Sequence, residues 1–259
     1  MSTSLRLHFF KMHKEIINKI KEKKPLDKLD DSFVEFFIEK FLSKNYKLKK
    51  KLEDNKFKKS DIETIVKNTR NILNKIYGQF WINDKIEISS HKSTIERRYF
   101  YDKLYREIFK ITGKPKKILD LAAGLNYLSY SLIDKCHFIS GELTDYDCDN
   151  LRKYFLENKI NGEVIKVNLF NDRNFPKTDV CFLFKVLDSI DLENHKTSEE
   201  LIKSIDSKWI VASFSKITIN NRKMNYPKRG WFERMIGRLN LEFKKIEFEN
   251  EIFYIIKKN

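Results

Sequence analysis

The stretch Ile-Leu-Asp-Leu-Ala-Ala-Gly-Leu-Asn, from Ile118 to Asn126, restricts this chain more than any other. It opens as a short buried strand that carries a carboxylate, Asp120, and breaks at Gly124. A helical pattern, Tyr127 to Asp134, follows. A strand, a turn without bulky side chains and a helix N-terminus form a place where a nucleotide-like ligand can touch backbone. Any fold for this chain has to present that turn.

The residues after it alternate between strand and helix patterns. Strands are expected at Lys117–Leu121, His137–Glu142, Val164–Asn168, Asp179–Lys185 and Trp209–Phe214, with a helix at Tyr146–Asn158. This alternation predicts an α/β fold with a mostly parallel sheet and crossover helices. Two last strands, Phe243–Glu247 and Ile252–Lys257, are separated by Glu249 and Asn250 and predict an antiparallel hairpin at one edge.

The chain before Ser90 reads as helical. A first helix over Leu5–Lys23 is stopped by Pro25. A second starts at Ser32, where Ser32 and Glu35 have capping-box spacing, and carries Phe33, Phe36, Phe37 and Phe41 on one face. A third starts at Ser60, with Glu63 three residues on, and keeps helical period to Gly78. These stripes are core. Between the last two helices, Lys44–Lys59 holds eight lysines against Glu53 and Asp54. A solvated face and an RNA-backbone contact explain it equally well. The candidate RNA contacts there are Lys49, Lys50, Lys51, Lys58 and Lys59. A further helix opens at His91, with Ser93 and Glu96 again at capping-box spacing and a stripe of Phe100, Leu104, Ile108 and Ile111, and ends at Gly113 and Pro115.

With 259 residues, 41% of them apolar, the chain is long enough for one large domain or two modest ones. The expected division is residues 1–90, a helical extension that binds RNA, and 91–259, the α/β domain. The formal charge of +15 favours a polyanionic partner, nucleic acid before anionic membrane. Lysine-rich composition from an AT-rich genome and the needs of solubility account for part of it. Cys136, Cys148 and Cys181 lack Cys-x-x-Cys spacing and predict buried thiols in a reducing compartment. The five histidines form no metal pattern, so no metal is expected. Neither a membrane span nor a leader peptide is expected, and the expected location is the cytoplasm.

In an open α/β sheet, ligands bind outside the carboxyl ends of the strands. Those ends offer Asp120, Ala122, Gly124, Glu142, Asn168, Leu169 and Lys185. Glu142 lies about 20 residues past the glycine turn, where an acid can accept hydrogen bonds from ribose hydroxyls. Gly-x-Gly-x-x-Gly and the P-loop pattern are both missing, which disfavours dinucleotides and nucleoside triphosphates. The single-glycine turn, the Glu142 acid and the terminal hairpin suit S-adenosyl-L-methionine.

Four ordered segments carry a family resemblance. His91-Lys92-Ser93-Thr94-Ile95-Glu96-Arg97 resembles a His-x-Ser-Thr-x-Glu-Arg segment. Leu119 to Asn126 resembles the first cofactor motif Leu-Asp-x-Ala-Cys-Gly-Leu-Asn-Pro, whose last position is Tyr127 here. Leu183-Phe184-Lys185 resembles Leu-Leu-Lys at the end of strand four. Ser213-Phe214, Arg222 and Trp231-Phe232-Glu233 resemble a Ser-Phe…Gly-Gly-Arg…Trp-Phe-Glu region. These belong to the aminoglycoside-resistance 16S ribosomal RNA (guanine-N7) methyltransferases. Ala123, Tyr127 and Asn220-Asn221 depart from that pattern.

The resemblance implies a Rossmann-like methyltransferase domain that uses S-adenosylmethionine on RNA, most directly guanine N7 of small-subunit ribosomal RNA. It leaves open whether a divergent member serves resistance or housekeeping. It assigns Arg97 to the methionine carboxylate, Gly124 to close backbone approach, Glu142 to the ribose, and Asn168 with Leu169 to the adenine. Lys185 falls on the substrate side of the pocket. Arg222 and Trp231 become substrate contacts; Trp231 is either a platform for an extruded base or a helix-start residue packed on the sheet. The basic stretch Lys216–Gly230, with Lys216, Arg222, Lys223, Lys228 and Arg229, reads as an RNA-facing loop. A lone-pair nucleophile such as N7 needs no general base, which agrees with a sequence that shows no catalytic dyad. Transfer RNA as substrate, a non-catalytic ribosome-assembly protein that keeps the fold, and a small-molecule methyltransferase are the competing readings. The basic segments speak against the last. A monomer is expected.

Overall fold

The computed structural model describes residues 3–81, 91–133, 135–191, 194–218, 222–225 and 227–258, with side chains from residue 12 onward. Two compact units result, residues 1–84 and 85–259. The expected boundary at residue 90 falls outside the described residues.

The first unit is helical: α1 (Thr3–Lys21), α2 (Asp31–Ser43), α3 (Tyr46–Glu53) and α4 (Lys59–Ile76). Ile16, Ile17 and Ile20 of α1, Phe33, Phe37 and Leu42 of α2 and Ile62, Ile65, Val66 and Leu73 of α4 are buried. The α2 stripe is rotated from expectation. Val34 and Ile38 are buried while Phe36 is exposed and meets the edge of Phe37, with ring centroids 5.0 Å apart. The caps also differ. Helix α2 begins one residue early, behind Asp30, with no side-chain cap. In α4 the acid that reaches back is Asp61, which accepts the Lys58 N–H at 2.8 Å, because the helix begins before Ser60. The lysine-rich segment forms α3; its straight-chain Lys and Leu residues are good helix formers.

The second unit begins with α5 (Lys92–Arg97) and α6 (Tyr101–Thr112), which break the single expected helix at Arg98–Phe100. Helix α6 ends at Gly113, whose φ of 77° suits glycine. Then follow β1 (Lys117–Leu121), β2 (His137–Glu142), α7 (Asp145–Glu157), β3 (Gly162–Lys166), β4 (Thr178–Phe184), α8 (Leu187–Ile190), α9 (Lys196–Ser204), β5 (Ser207–Ser215), α10 (Gly230–Arg238), β6 (Glu242–Glu247) and β7 (Glu251–Lys257). The sheet has seven strands in the order β3-β2-β1-β4-β5-β7-β6. The first five pair in parallel, and β7 is antiparallel to both β5 and β6. The expected fold, a Rossmann-like α/β sheet with a C-terminal hairpin, is the one observed.

Central strands covered on both faces need unbroken apolar runs, and Val180–Phe184 of β4 is buried throughout. The edge strand β6 is largely exposed and carries Glu242, Lys244, Lys245 and Glu247, charges that discourage pairing with another chain. The strand order reverses between β1 and β4, which makes their carboxyl ends the switch point where α/β sheets bind ligands. After Gly124 the chain forms a 3-10 helix, Asn126–Leu132, and not the expected α-helix. Ser129 Oγ donates to the Asn126 carbonyl at 2.6 Å, which holds the turn in its tighter form. Cys136, Cys148 and Cys181 are buried free thiols. No helix among the described residues is long and apolar enough to cross a membrane.

Candidate active site

The carboxyl ends of β1, β2 and β4 bring the expected residues together. At the end of β1, Ala122 and Gly124 both have left-handed backbone, φ 53° and 55°. At Ala122 this stores strain, which marks a constrained site. Gly124 also has a steric need. A Cβ there would lie 2.6 Å from Cε1 and 2.7 Å from Nε2 of His91. The His91 ring is therefore packed on the face of the turn. Burial, with Arg97 and Lys185 as further cations, pushes its pKa down to about 3, so it is neutral.

Asp120 is buried, and its Oδ2 accepts Asn126 Nδ2 at 2.7 Å. Its Oδ1 is buried without a partner. Burial raises its pKa to about 7, against the opposing Asn126 hydrogen bond. Glu142, at the end of β2, turns back onto the glycine loop. Its Oε1 accepts the Gly124 N–H at 2.5 Å and its Oε2 the Leu143 N–H at 3.3 Å. Burial first and Asp147 second raise the Glu142 pKa, although the two backbone donors oppose them. The acid expected at the ribose thus also braces the turn.

Arg97, Lys185, Glu96 and Glu251 form a buried ionic cluster. Arg97 Nε lies 3.0 Å from both oxygens of Glu251, and the guanidinium lies 4.8 Å over the Phe184 ring. Burial lowers the Arg97 pKa, but the Glu251 carboxylate outweighs this and holds the guanidinium charged. Lys185 has left-handed backbone, φ 57°, at the end of β4. Its Nζ pairs with Glu96 and lies 3.3 Å from Glu251 Oε2. Ser213 Oγ donates to Glu251 Oε1 at 2.5 Å. Glu96 therefore does not close a capping box with Ser93; α5 begins at Lys92, and the carboxylate is bound to Lys185. Lys185 lies inside this cluster, with its side chain 8% exposed.

Other positions sit elsewhere. Asn168 Oδ1 caps its own loop by accepting the Phe170 N–H at 3.0 Å. Leu169 belongs to the buried core. One face of Trp231 carries His195, with centroids 3.9 Å apart and planes at 8°, and its edge meets Phe214. This is the packed alternative; a base on that face would have to displace His195.

The basic candidates separate by partner. Arg229 donates to Asp188 at 2.8 Å and to the Ser215 carbonyl, and it lies 5.4 Å from the centre of the Phe214 ring. Lys216 Nζ meets Glu247 at 3.2 Å and the Phe248 carbonyl at 2.9 Å. Both brace the protein, whereas Arg222, Lys223 and Lys228 are exposed. Asn220 and Asn221 lie outside the described residues. In the first unit Lys51 pairs with Asp61 at 3.0 Å and Lys49 lies 3.8 Å from Glu39, while Lys50, Lys58 and Lys59 are exposed.

Sequence reasoning missed Glu251. The signal was present: an acid that opens the run Glu251–Ile256, every residue of which is buried. It missed the packing of His91 on Gly124 because that contact joins separate parts of the chain.

Known proteins place the chain further. Residues 82–255 match the family model described as "Ribosomal RNA methyltransferase (FmrO)". The chain is 25% identical over 236 residues to a 16S rRNA (guanine(1405)-N(7))-methyltransferase of Micromonospora rosea, covering 77% of this chain and 85% of that protein. It is 25% identical over 182 residues to the enzyme of the same name from Proteus mirabilis, covering 66% of this chain and 64% of that protein. Among solved structures, the 16S rRNA methylase RmtB superposes with a TM-score of 0.74 at 19% identity, covering 95% of this chain and 98% of that one. The 16S rRNA methyltransferase RmtF, solved with S-adenosyl-L-homocysteine, gives 0.75 at 16% identity with the same coverage. These two share the fold.

Proposed function

The chain belongs to the FmrO family of ribosomal RNA methyltransferases, and from that premise we propose that it transfers a methyl group from S-adenosylmethionine to guanine N7 of small-subunit ribosomal RNA. The observation that carries the cofactor side is the pair of buried polar atoms left without partners, Arg97 Nη2 and Asp120 Oδ1. A buried donor on a cation and a buried acceptor on an acid fit the carboxylate and the ammonium of a bound amino acid. The Glu142 carboxylate, which accepts the Gly124 N–H, is held beside that turn. Arg97, Asp120, Ala122, Gly124, Glu142 and Lys185 would hold the cofactor, with Asn168 and Leu169 at its adenine end.

When bound, S-adenosylmethionine supplies an electrophilic methyl group on a sulfonium. N7 of guanine has an in-plane lone pair at neutral pH, so the protein needs no group to remove a proton. The work left to the chain is alignment, worth roughly 7–11 kcal/mol in favourable cases. Arg97 and Lys185, clamped by Glu251 and Glu96, are preorganised for that task. Ala122 and Lys185, both in left-handed backbone, fix the two rims of the site at β1 and β4.

The acceptor side rests on charge. The helical first unit, with Lys50, Lys58 and Lys59 exposed, serves as the RNA-binding extension. Arg222, Lys223 and Lys228 supply phosphate contacts beside the second unit's strand ends. Lys185 is a positioning candidate, and so is Trp231 if an extruded base takes the place of His195 on its face.

The test is methyl transfer from labelled cofactor to small subunits, naked ribosomal RNA and transfer RNA, with the modified base mapped. Label at guanine N7 of the small-subunit RNA is expected. Label in transfer RNA alone would move the substrate, label at adenine N1 would overturn the N7 assignment, and no label in any RNA would overturn the enzymatic reading.

A further inference from the structure

Among the described residues, Glu251 is the one fully buried carboxylate that meets both cations of the site, and its position is odd for an acid. It opens β7, in register with Ser215 of β5, and is 0% exposed. A buried charge persists only if its oxygens are satisfied. Here Oε1 and Oε2 both lie 3.0 Å from Arg97 Nε, Oε1 accepts Ser213 Oγ, and Oε2 meets Lys185 Nζ.

The manner of pairing matters. An arginine facing a carboxylate side by side offers two parallel N–H groups. Glu251 instead takes Arg97 through Nε alone. The guanidinium is held at its root and against Phe184, and the buried Nη2 is left without a hydrogen-bond partner, as is the hydroxyl of the neighbouring Tyr101. An unpaired donor on a buried cation is costly unless a ligand completes it. The acceptor that such an edge fits is a carboxylate.

We infer that Glu251 is a positioning residue for cofactor recognition: it fixes Arg97 by Nε and Lys185 by Nζ so that Arg97 Nη2 is presented to the carboxylate of the methionine moiety. This rests on the S-adenosylmethionine reading above. Glu251 touches no ligand in this role. It acts through Arg97, and the role is specific to one end of the cofactor. Ser213 is its partner on β5, which explains why a serine sits fully buried in an otherwise apolar stretch.

The experiment measures dissociation constants of the full chain for S-adenosylmethionine and for decarboxylated S-adenosylmethionine, which differ only in that carboxylate. Wild-type protein should prefer the carboxylated form. Glu251→Gln removes the charge and keeps the shape. It should lose about 10- to 100-fold in affinity for S-adenosylmethionine, the scale of a charge-assisted hydrogen bond, and stay within about twofold for the decarboxylated form. Equal losses for both ligands would show a merely structural role and overturn the inference, as would unchanged binding of both or a wild type without preference. Should Glu251→Gln not fold, Glu251→Asp keeps the charge but draws the carboxylate back by one methylene, and the same selective loss is expected. Failure of the wild type to bind either ligand would instead overturn the cofactor reading itself.

Discussion

Gly124→Ala tests the turn on which the site depends. Gly124 has φ 55°, and left-handed backbone costs a residue with a Cβ roughly 1–2 kcal/mol. The new methyl would start 2.6 Å from His91 Cε1. His91 is itself buried, so it moves only by disturbing a packed region, and such overpacking costs about 1–3 kcal/mol. The two terms together give about 2–5 kcal/mol. For a unit of this size each kcal/mol shifts Tm by about 2–4 °C, so a fall of about 5–15 °C is expected. Urea and thermal denaturation, followed by circular dichroism, measure it. The two terms separate in a His91→Ala background, where the clash is gone and only the backbone strain of about 1–2 kcal/mol remains. If Gly124→Ala costs the same in both backgrounds, the packing of His91 on the turn is not what requires glycine. If it leaves wild-type Tm unchanged, the left-handed conformation is not required either.

Four further outcomes are expected. Arg97→Met leaves Glu251 buried beside Lys185 alone and should cost about 3–5 kcal/mol in urea denaturation, the penalty for breaking a buried ion pair; a loss under about 1 kcal/mol, the range of a surface pair, would refute the pairing. Asp120, with its pKa raised from 3.8 to about 7 by burial, holds a proton that the unfolded chain releases in that interval. Its stabilising contribution is therefore present at low pH and is lost as pH rises toward 7, at up to roughly 1.4 kcal/mol per unit, so wild-type Tm should fall relative to Asp120→Asn between about pH 4 and 7, and parallel profiles would refute it. Alanine at Arg222, Lys223 and Lys228 should reduce the salt dependence of RNA binding by about 0.7–0.9 in log–log slope for each phosphate no longer neutralised, with cofactor affinity unchanged. Arg229→Ala should lower Tm and leave that slope intact, because Arg229 is committed to Asp188 and the Ser215 carbonyl; a reduced slope for Arg229→Ala would reverse that assignment.

The strands, the hairpin and the glycine turn were legible from the residues, because period, apolar runs and glycine are local signals with local causes. Lys117–Leu121 and His137–Glu142 were legible to the residue. Helix caps were not, since Ser93 and Glu96 carry the spacing of a box while Glu96 is drawn away by a lysine 89 residues on. The basic loop read as one RNA-facing set, yet Lys216 and Arg229 are bound within the protein and Arg222, Lys223 and Lys228 are exposed. The meeting of Arg97, near the start of the second unit, with Glu251, 154 residues away at the start of the last strand, arises only on folding. Charge pairs across such separations leave no period in a sequence. Their geometry exists only after the antiparallel β5–β7 register has placed the last strand beside the site.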